Sequence, residues 1–184
     1  MLVLTMASGY PHLADITAVL VIKQNWSDMI RNGLKTMGLC SYSLRRHRGQ
    51  WIGLATSGCH AIWGTCRISM STLLNERAMF TPGLLLQHRV SHKEIARIRA
   101  TLAVKGAEKN PWKTIYGISI HGVVAFLQPV PYYHPRGAIG MVRLSGNEVF
   151  ERARADALVR SRHREARPRW RAGVLQPLAQ CCRK

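Results

Sequence analysis

The stretch PVPYYHPRGAIGMVRL, from Pro129 to Leu144, decides the fold when it is set beside IKQNWSDMIRNGLKT, from Ile22 to Thr36. In the first, Pro129 and Pro131 with Tyr132 and Tyr133 shape a rigid approach, Arg136 and Gly137 make a turn, and an apolar strand follows. This is the pattern of a segment that closes a barrel. The second reads as a strand, a short helix and a glycine-lysine loop. Val19 to Lys23 is rich in β-branched residues, Asn25 is placed to cap a helix, and Trp26, Met29 and Ile30 recur at the helical spacing until Gly33 ends it.

Between these ends the signals continue to have local causes. Thr36 to Ser41 reads as a strand with Thr36, Gly38 and Cys40 on one face. Trp51 to Thr56 and Ala61 to Ile68 are apolar enough for buried strands, and Ser57 with Gly58 predicts a hairpin turn between them. Ser91 and Glu94 form a capping box for a helix with Ile95, Ile98 and Leu102 inward. Thr114 to Ile120 and Ile139 to Leu144 supply the last strands. A helix from Asn147 to Arg167 follows, with Asn147 as N-cap, Glu148 and Glu151 in the first turn, and Pro168 stopping it. Its apolar stripe of Phe150, Ala157 and Leu158 is thin.

The chain has 184 residues and 47% hydrophobic content, enough for one ordinary domain and an appendage. Charge is the outlier. Lys and Arg number 27 against 9 Asp and Glu, a formal net charge of +18, so the surface attracts polyanions whatever the fold. From Glu151 to Lys184 ten residues are basic and three acidic, which marks the tail as either a solvated extension or a nucleic-acid arm. No apolar run reaches the length of a membrane span, and the Met1 to Thr5 stretch has no basic leader and soon meets Pro11 and Asp15. A cytoplasmic location is expected, with no membrane partner. The five cysteines show neither a disulfide framework nor paired zinc spacing. Cys59, His60, Cys66 and His121 fit no familiar metal pattern, so no metal is expected. There is no GxSxG elbow and no glycine-rich phosphate loop, and no cofactor is expected.

The Ile22–Thr36 and Pro129–Leu144 segments, about a hundred residues apart, resemble the two ends of the ASCH domain, a PUA-like β-barrel family associated with RNA and nucleotide chemistry. The resemblance runs from Val19 to Leu144. The family motif is a glycine, one residue, a lysine, two residues, a glutamate, one residue and an arginine. Gly33 and Lys35 match it, whereas Gly38 and Cys40 hold the glutamate and arginine positions. Arg48 to Gly58 is similar to the family's second strand, and Ile115 to Ile120 is similar to its Tyr-Ala-Trp strand, with Ile118 at the tryptophan. The resemblance implies an α+β fold, a PUA-like β-barrel with flanking short helices and a C-terminal helical, Arg-rich extension. The boundaries expected are an N-terminal extension over 1–18, the ASCH/PUA-like domain over 19–144 and a basic extension over 145–184.

The resemblance also implies a cleft beside the glycine-lysine loop. Two uses of Lys35 follow. In a nucleic-acid-binding module, RNA preferred, it contacts phosphate or a base edge. In a small hydrolase acting on RNA or a modified nucleoside, amidohydrolase or ribonuclease-like, it acts as a base of lowered pKa. Amidohydrolase relatives pair the lysine with a threonine nucleophile where this chain has Gly38, and Thr36 lies two residues away on the same strand face, about 6–7 Å distant. A solvated loop lysine is the plain alternative. Around it, Thr36, Arg45 and Arg48 are candidate contacts for RNA or another single-stranded nucleic acid, Arg45, Arg46, His47 and Arg48 forming one basic loop. Tyr132, His134 and Arg136, with Tyr133, form a second candidate patch, since aromatic faces take bases and guanidinium groups take phosphate oxygens. Barrel-mouth packing of the tyrosines is the competing meaning there.

Overall fold

The computed structural model describes residues 10, 12–74, 76–96, 115–138 and 140–165. In chain order the elements are β1 (Ala18–Ile22), α1 (Gln24–Arg31), β2 (Met37–Cys40), a 3-10 turn (Arg45–His47), β3 (Trp51–Thr56) and β4 (Ala61–Leu74). Then come α2 (Glu76–Met79), α3 (Pro82–His88), a helical run over 92–96, β5 (Ile115–Pro131), β6 (Met141–Arg143) and α4 (Glu148–Glu165). The strands form one six-stranded sheet in the order β2-β5-β4-β3-β1-β6. The fold is mixed α+β, as expected. Among the described residues no helix is long and apolar enough to cross a membrane.

The described residues divide into two compact units, each assembled from separate stretches of chain. One comprises 28–51, 66–74, 76–96 and 115–123; the other comprises 10, 12–27, 52–65, 124–138 and 140–165. In the second, β1 runs parallel to β3, with Val19 opposite Gly53 and Ile22 opposite Thr56, and antiparallel to β6. A strand flanked on both sides and covered on both faces reads as a continuous apolar run, which is why AVLVI is a strand without alternation. Leu13 and Ile16, from the stretch expected to be an extension, are buried with Phe126, Leu144 and Phe150. The Ser27 and Thr56 hydroxyls, both buried, bond at 2.8 Å and tie the start of α1 to the end of β3.

In the first unit β2 pairs antiparallel with β5, Met37 opposite Ser119 and Cys40 opposite Tyr116. Ile30, Met37, Ile68, Ile95 and Ile118 fill its core.

Three boundaries depart from expectation, each for a local reason. Helix α1 begins at Gln24, which puts Asn25 inside it, because the Lys23 carbonyl already accepts the N–H groups of Trp26 and Ser27 at 3.1 and 2.9 Å. β4 runs on to Leu74 through a polar stretch: Arg67 and Met70 face out while Ile68 and Ser71 are buried, and the Ser71 hydroxyl is satisfied by the Leu44 N–H at 3.0 Å. β5 extends past His121 and Gly122 to Pro131, leaving Pro129 and Pro131 at its end, where a missing N–H costs least. The Ser91–Glu94 cap is present, the Glu94 N–H donating to the Ser91 hydroxyl at 3.2 Å. Ile98, Leu102, Thr114 and Ile139 lie outside the described residues.

Gly64 in β4 has no room for a side chain, since a β-carbon there would stand 2.4 Å from the Val124 carbonyl oxygen, whereas one at Gly83 in α3 would meet nothing within 4 Å. Gly64→Ala is therefore expected to destabilise by about 1–3 kcal/mol through forced backbone movement. Gly83→Ala is expected to stabilise by about 0.5–1 kcal/mol through helix propensity. Urea unfolding of the two variants checks the opposite signs.

Candidate nucleic-acid interface

The glycine-lysine loop is built by the end of α1. Gly33 takes a left-handed conformation with φ of 67°, and the N–H groups of Leu34 and Lys35 both reach back to the Met29 carbonyl, at 2.8 and 3.2 Å. The turn sends Lys35 inward rather than into solvent, and only 2% of the residue is exposed. Its ammonium donates to the backbone carbonyl of His88 at the C-terminal end of α3. Burial pulls the Lys35 pKa down to about 8, with the charge of Glu94 acting the other way.

His88 is fully buried and its protonation follows from its partners. The Val90 N–H donates to Nδ1 at 3.0 Å, so the ring proton sits on Nε2, which donates to the Met79 carbonyl at 3.0 Å. Burial lowers the pKa of His88, the Lys35 charge adds to this, and the Met79 bond opposes both. Arg89, in a left-handed conformation with φ of 55°, closes α3 and returns its Nε to the Leu34 carbonyl at 3.1 Å. Thr36 is half-buried, and its backbone bridges Gln87 and Ile120. Gly38 offers no hydroxyl. The Cys40 thiol donates to the Tyr42 carbonyl at 3.0 Å, and burial pushes its pKa up to about 11, which makes it a poor nucleophile.

In the same unit the 3-10 turn carries exposed Arg45, Arg46 and Arg48, and exposed Arg67 joins them from β4. Arg46 Nε donates to His47 Nε2 at 3.0 Å, which places the His47 proton on Nδ1, where it donates to Gln50 Oε1 at 3.0 Å. Arg67 Nε donates to the Gly49 carbonyl at 2.6 Å, and the Gly49 N–H bonds the Ile68 carbonyl at 2.7 Å. Three arginines at the turn and one on β4 are thus exposed together, Arg46 held by the His47 ring and Arg67 by the Gly49 carbonyl. No acidic residue occurs from Ser41 to Leu74 to neutralise them.

The second unit holds the other candidate patch, on the loop after β5. Tyr132 is buried, and burial lifts its pKa to about 12. Its hydroxyl donates to His134 Nδ1 at 3.0 Å, because His134 Nε2 must carry the proton it gives to the Ala138 carbonyl, also at 3.0 Å. The His134 ring meets the exposed His60 ring edge-on, with centroids 5.7 Å apart, and the Tyr132 N–H bonds the His60 carbonyl at 3.1 Å. Arg136 is exposed at the turn.

Asn147 caps α4 as expected, Oδ1 accepting the Phe150 N–H at 3.1 Å, but it also does what no sequence pattern announces. Oδ1 accepts the Tyr133 N–H at 3.0 Å and Nδ2 donates to the Tyr133 carbonyl at 2.6 Å. Phe150 and Ala157 of the thin stripe are fully buried. Arg67, Gln50, His88 and this second use of Asn147 were not singled out by sequence. Only Arg67 had a local signal, a single charge inside an otherwise apolar run. Among the described residues no group of three or more His, Cys, Asp or Glu side chains gathers as a metal site would.

No protein-family model and no curated protein matches this sequence. Solved structures do. The ASCH protein of Zymomonas mobilis superposes with a TM-score of 0.51 at 12% identity, covering 78% of this chain and 93% of that one. Its serine-to-alanine variant gives a TM-score of 0.52 at 13% identity, covering 78% and 94%. A tyrosine-to-phenylalanine variant gives 0.52 at 13%, covering 78% and 96%. The likeness is one of fold: this chain has the ASCH, PUA-like fold.

Because the Lys35 pKa is about 8 in the folded chain and near 10.5 when unfolded, the unfolded chain holds more protons between those values. The Lys35 contribution to stability should therefore rise with pH across that window, while Cys40, Cys66 and Tyr132, whose protons burial holds more tightly in the folded chain, act in the opposite direction. The stability of the wild type minus that of Lys35→Met is accordingly expected to increase by at most about 3 kcal/mol over the window, whatever the common trend of the two proteins. Urea unfolding of both proteins from pH 7.5 to 10.5 measures the difference.

Proposed function

We propose that this chain is a nucleic-acid-binding module, with RNA preferred, acting in the cytoplasm. The observation that carries the reading is the arginine turn: Arg45, Arg46, Arg48 and Arg67 are exposed together, with no acidic residue from Ser41 to Leu74. Phosphate contacts of this kind supply sequence-independent affinity. The preference for RNA rests on the general association of the PUA-like fold with RNA. Arg136 adds a cation on the second patch, while Tyr132 and His134 shape the loop that carries it. Lys35 and Thr36 hold the glycine-lysine loop in place, and the buried ammonium adds positive potential from within.

A second reading, a small hydrolase acting on RNA or on a modified nucleoside, is favoured by one observation, the lowering of the Lys35 pKa to about 8. Against it stand the bond from that ammonium to His88 and the missing hydroxyl at Gly38. The protein is expected not to deacylate acetylated cytidine. Turnover that disappears in Lys35→Ala would reverse the order of the two readings.

Binding to single-stranded RNA is expected to weaken on the order of 10- to 100-fold between about 50 and 200 mM salt, and the double variant Arg45→Ala/Arg48→Ala to flatten the log–log slope by about 1–2. Fluorescence anisotropy across a salt series measures both. Equal affinity at the two salt concentrations would contradict the reading.

A further inference from the structure

Tyr133 stands apart from the other large side chains of the chain. It is 60% exposed, and among the described residues it is the one aromatic of that group, the rest being Leu, Met and Val. Its neighbour Tyr132 is 3% exposed and spends its hydroxyl on His134. Alternation along the chain therefore sends one tyrosine into the protein and the other out.

The backbone beneath the exposed ring is unusually well held. Asn147, itself 9% exposed, grips both the N–H and the carbonyl of Tyr133, at 3.0 and 2.6 Å, and it is anchored in turn as the cap of α4. On either side, the Tyr132 N–H is bound to His60 and the Ala138 N–H to the Pro135 carbonyl at 3.0 Å. The His134 ring spans the loop from Tyr132 to Ala138. A loop wired this way needs little further ordering when a ligand arrives, and a tyrosine has only two side-chain torsions to lose.

We infer that Tyr133 is a preorganised stacking platform for an unpaired base, and that it makes the module select single-stranded RNA over duplex RNA. An aromatic face takes any base whose own face is free, which a base inside a duplex does not offer. The exposed Arg136 in the same loop supplies a cation for the adjoining phosphate. Asn147 is a positioning residue: it touches no nucleic acid and acts by fixing Tyr133. The inference rests on the nucleic-acid reading and adds to it the residue that distinguishes strand state.

The test is binding of the full chain to one RNA sequence, single-stranded and annealed to its complement, at fixed salt. Tyr133→Ala is expected to weaken single-strand binding on the order of tenfold or more, with duplex binding and the salt slope unchanged, and Tyr133→Phe to keep wild-type preference. Tyr133→Leu keeps the bulk without the π face and should behave as Tyr133→Ala does, which guards against a folding defect in either. Asn147→Asp keeps the acceptor for Tyr133 and Phe150 but loses the donor to the Tyr133 carbonyl. It should lower the ratio of single-strand to duplex affinity, a ratio in which the added negative charge cancels. Wild-type binding with equal losses on both RNA forms, or with none, would overturn the inference alone. Absence of wild-type binding to either form would overturn the nucleic-acid reading and this inference with it.

Discussion

The ammonium of Lys35 against the carbonyl of His88 is the contact from which the glycine-lysine loop takes its form. A buried lysine without a partner is too costly to keep, and a helix C-terminus with open carbonyls attracts a cation. Each supplies what the other lacks. The Arg89 guanidinium on the Leu34 carbonyl repeats the connection in the opposite direction. Between them the end of α1, the start of β2 and the end of α3 become one arrangement, and the neutral His88 ring carries it on to Met79 and Val90.

The second unit uses the same economy with a different side chain. The loop after β5 cannot satisfy its own backbone within a strand or helix, so Asn147 satisfies it, with the donor and acceptor of one amide. The side chains left on the outside are Tyr133 and Arg136 on this loop, and Arg45, Arg46 and Arg48 at the 3-10 turn of the other unit. In both places buried polar groups hold the loop, and the contacts proposed above fall to exposed ones. That division also explains why the chemistry of Lys35 is not simply that of a surface base. Its pKa is lowered by burial, yet in the same buried position its ammonium is engaged as a hydrogen-bond donor to a carbonyl.

Much of the fold was legible in the sequence because its causes are local. The β-branched run of β1, the apolar runs of β3 and the first half of β4, the left-handed Gly33 and the Asn147 cap each depend on neighbours within a few residues. Local rules failed where a distant partner pays for a polar residue. Ser71 continues β4 only because the Leu44 N–H reaches its hydroxyl across 27 positions. Asn25 lost the cap of α1 to a backbone carbonyl that was already in place.

The sequence by itself determined the α+β class, the order of most elements, the strong positive charge and the basic turn at Arg45 to Arg48, since composition, periodicity and turn chemistry are properties of short stretches. The fate of individual side chains was decided by tertiary structure. Lys35 and Tyr132 carry the same local signals as solvent-facing residues, and a glycine-lysine loop or a Tyr-Tyr pair does not say which way it points. Their direction was set by partners that the local pattern does not name, the His88 carbonyl 53 positions from Lys35 and the His60 carbonyl that accepts the Tyr132 N–H. A buried polar group must find its hydrogen bonds, and only the folded chain brings those partners within reach.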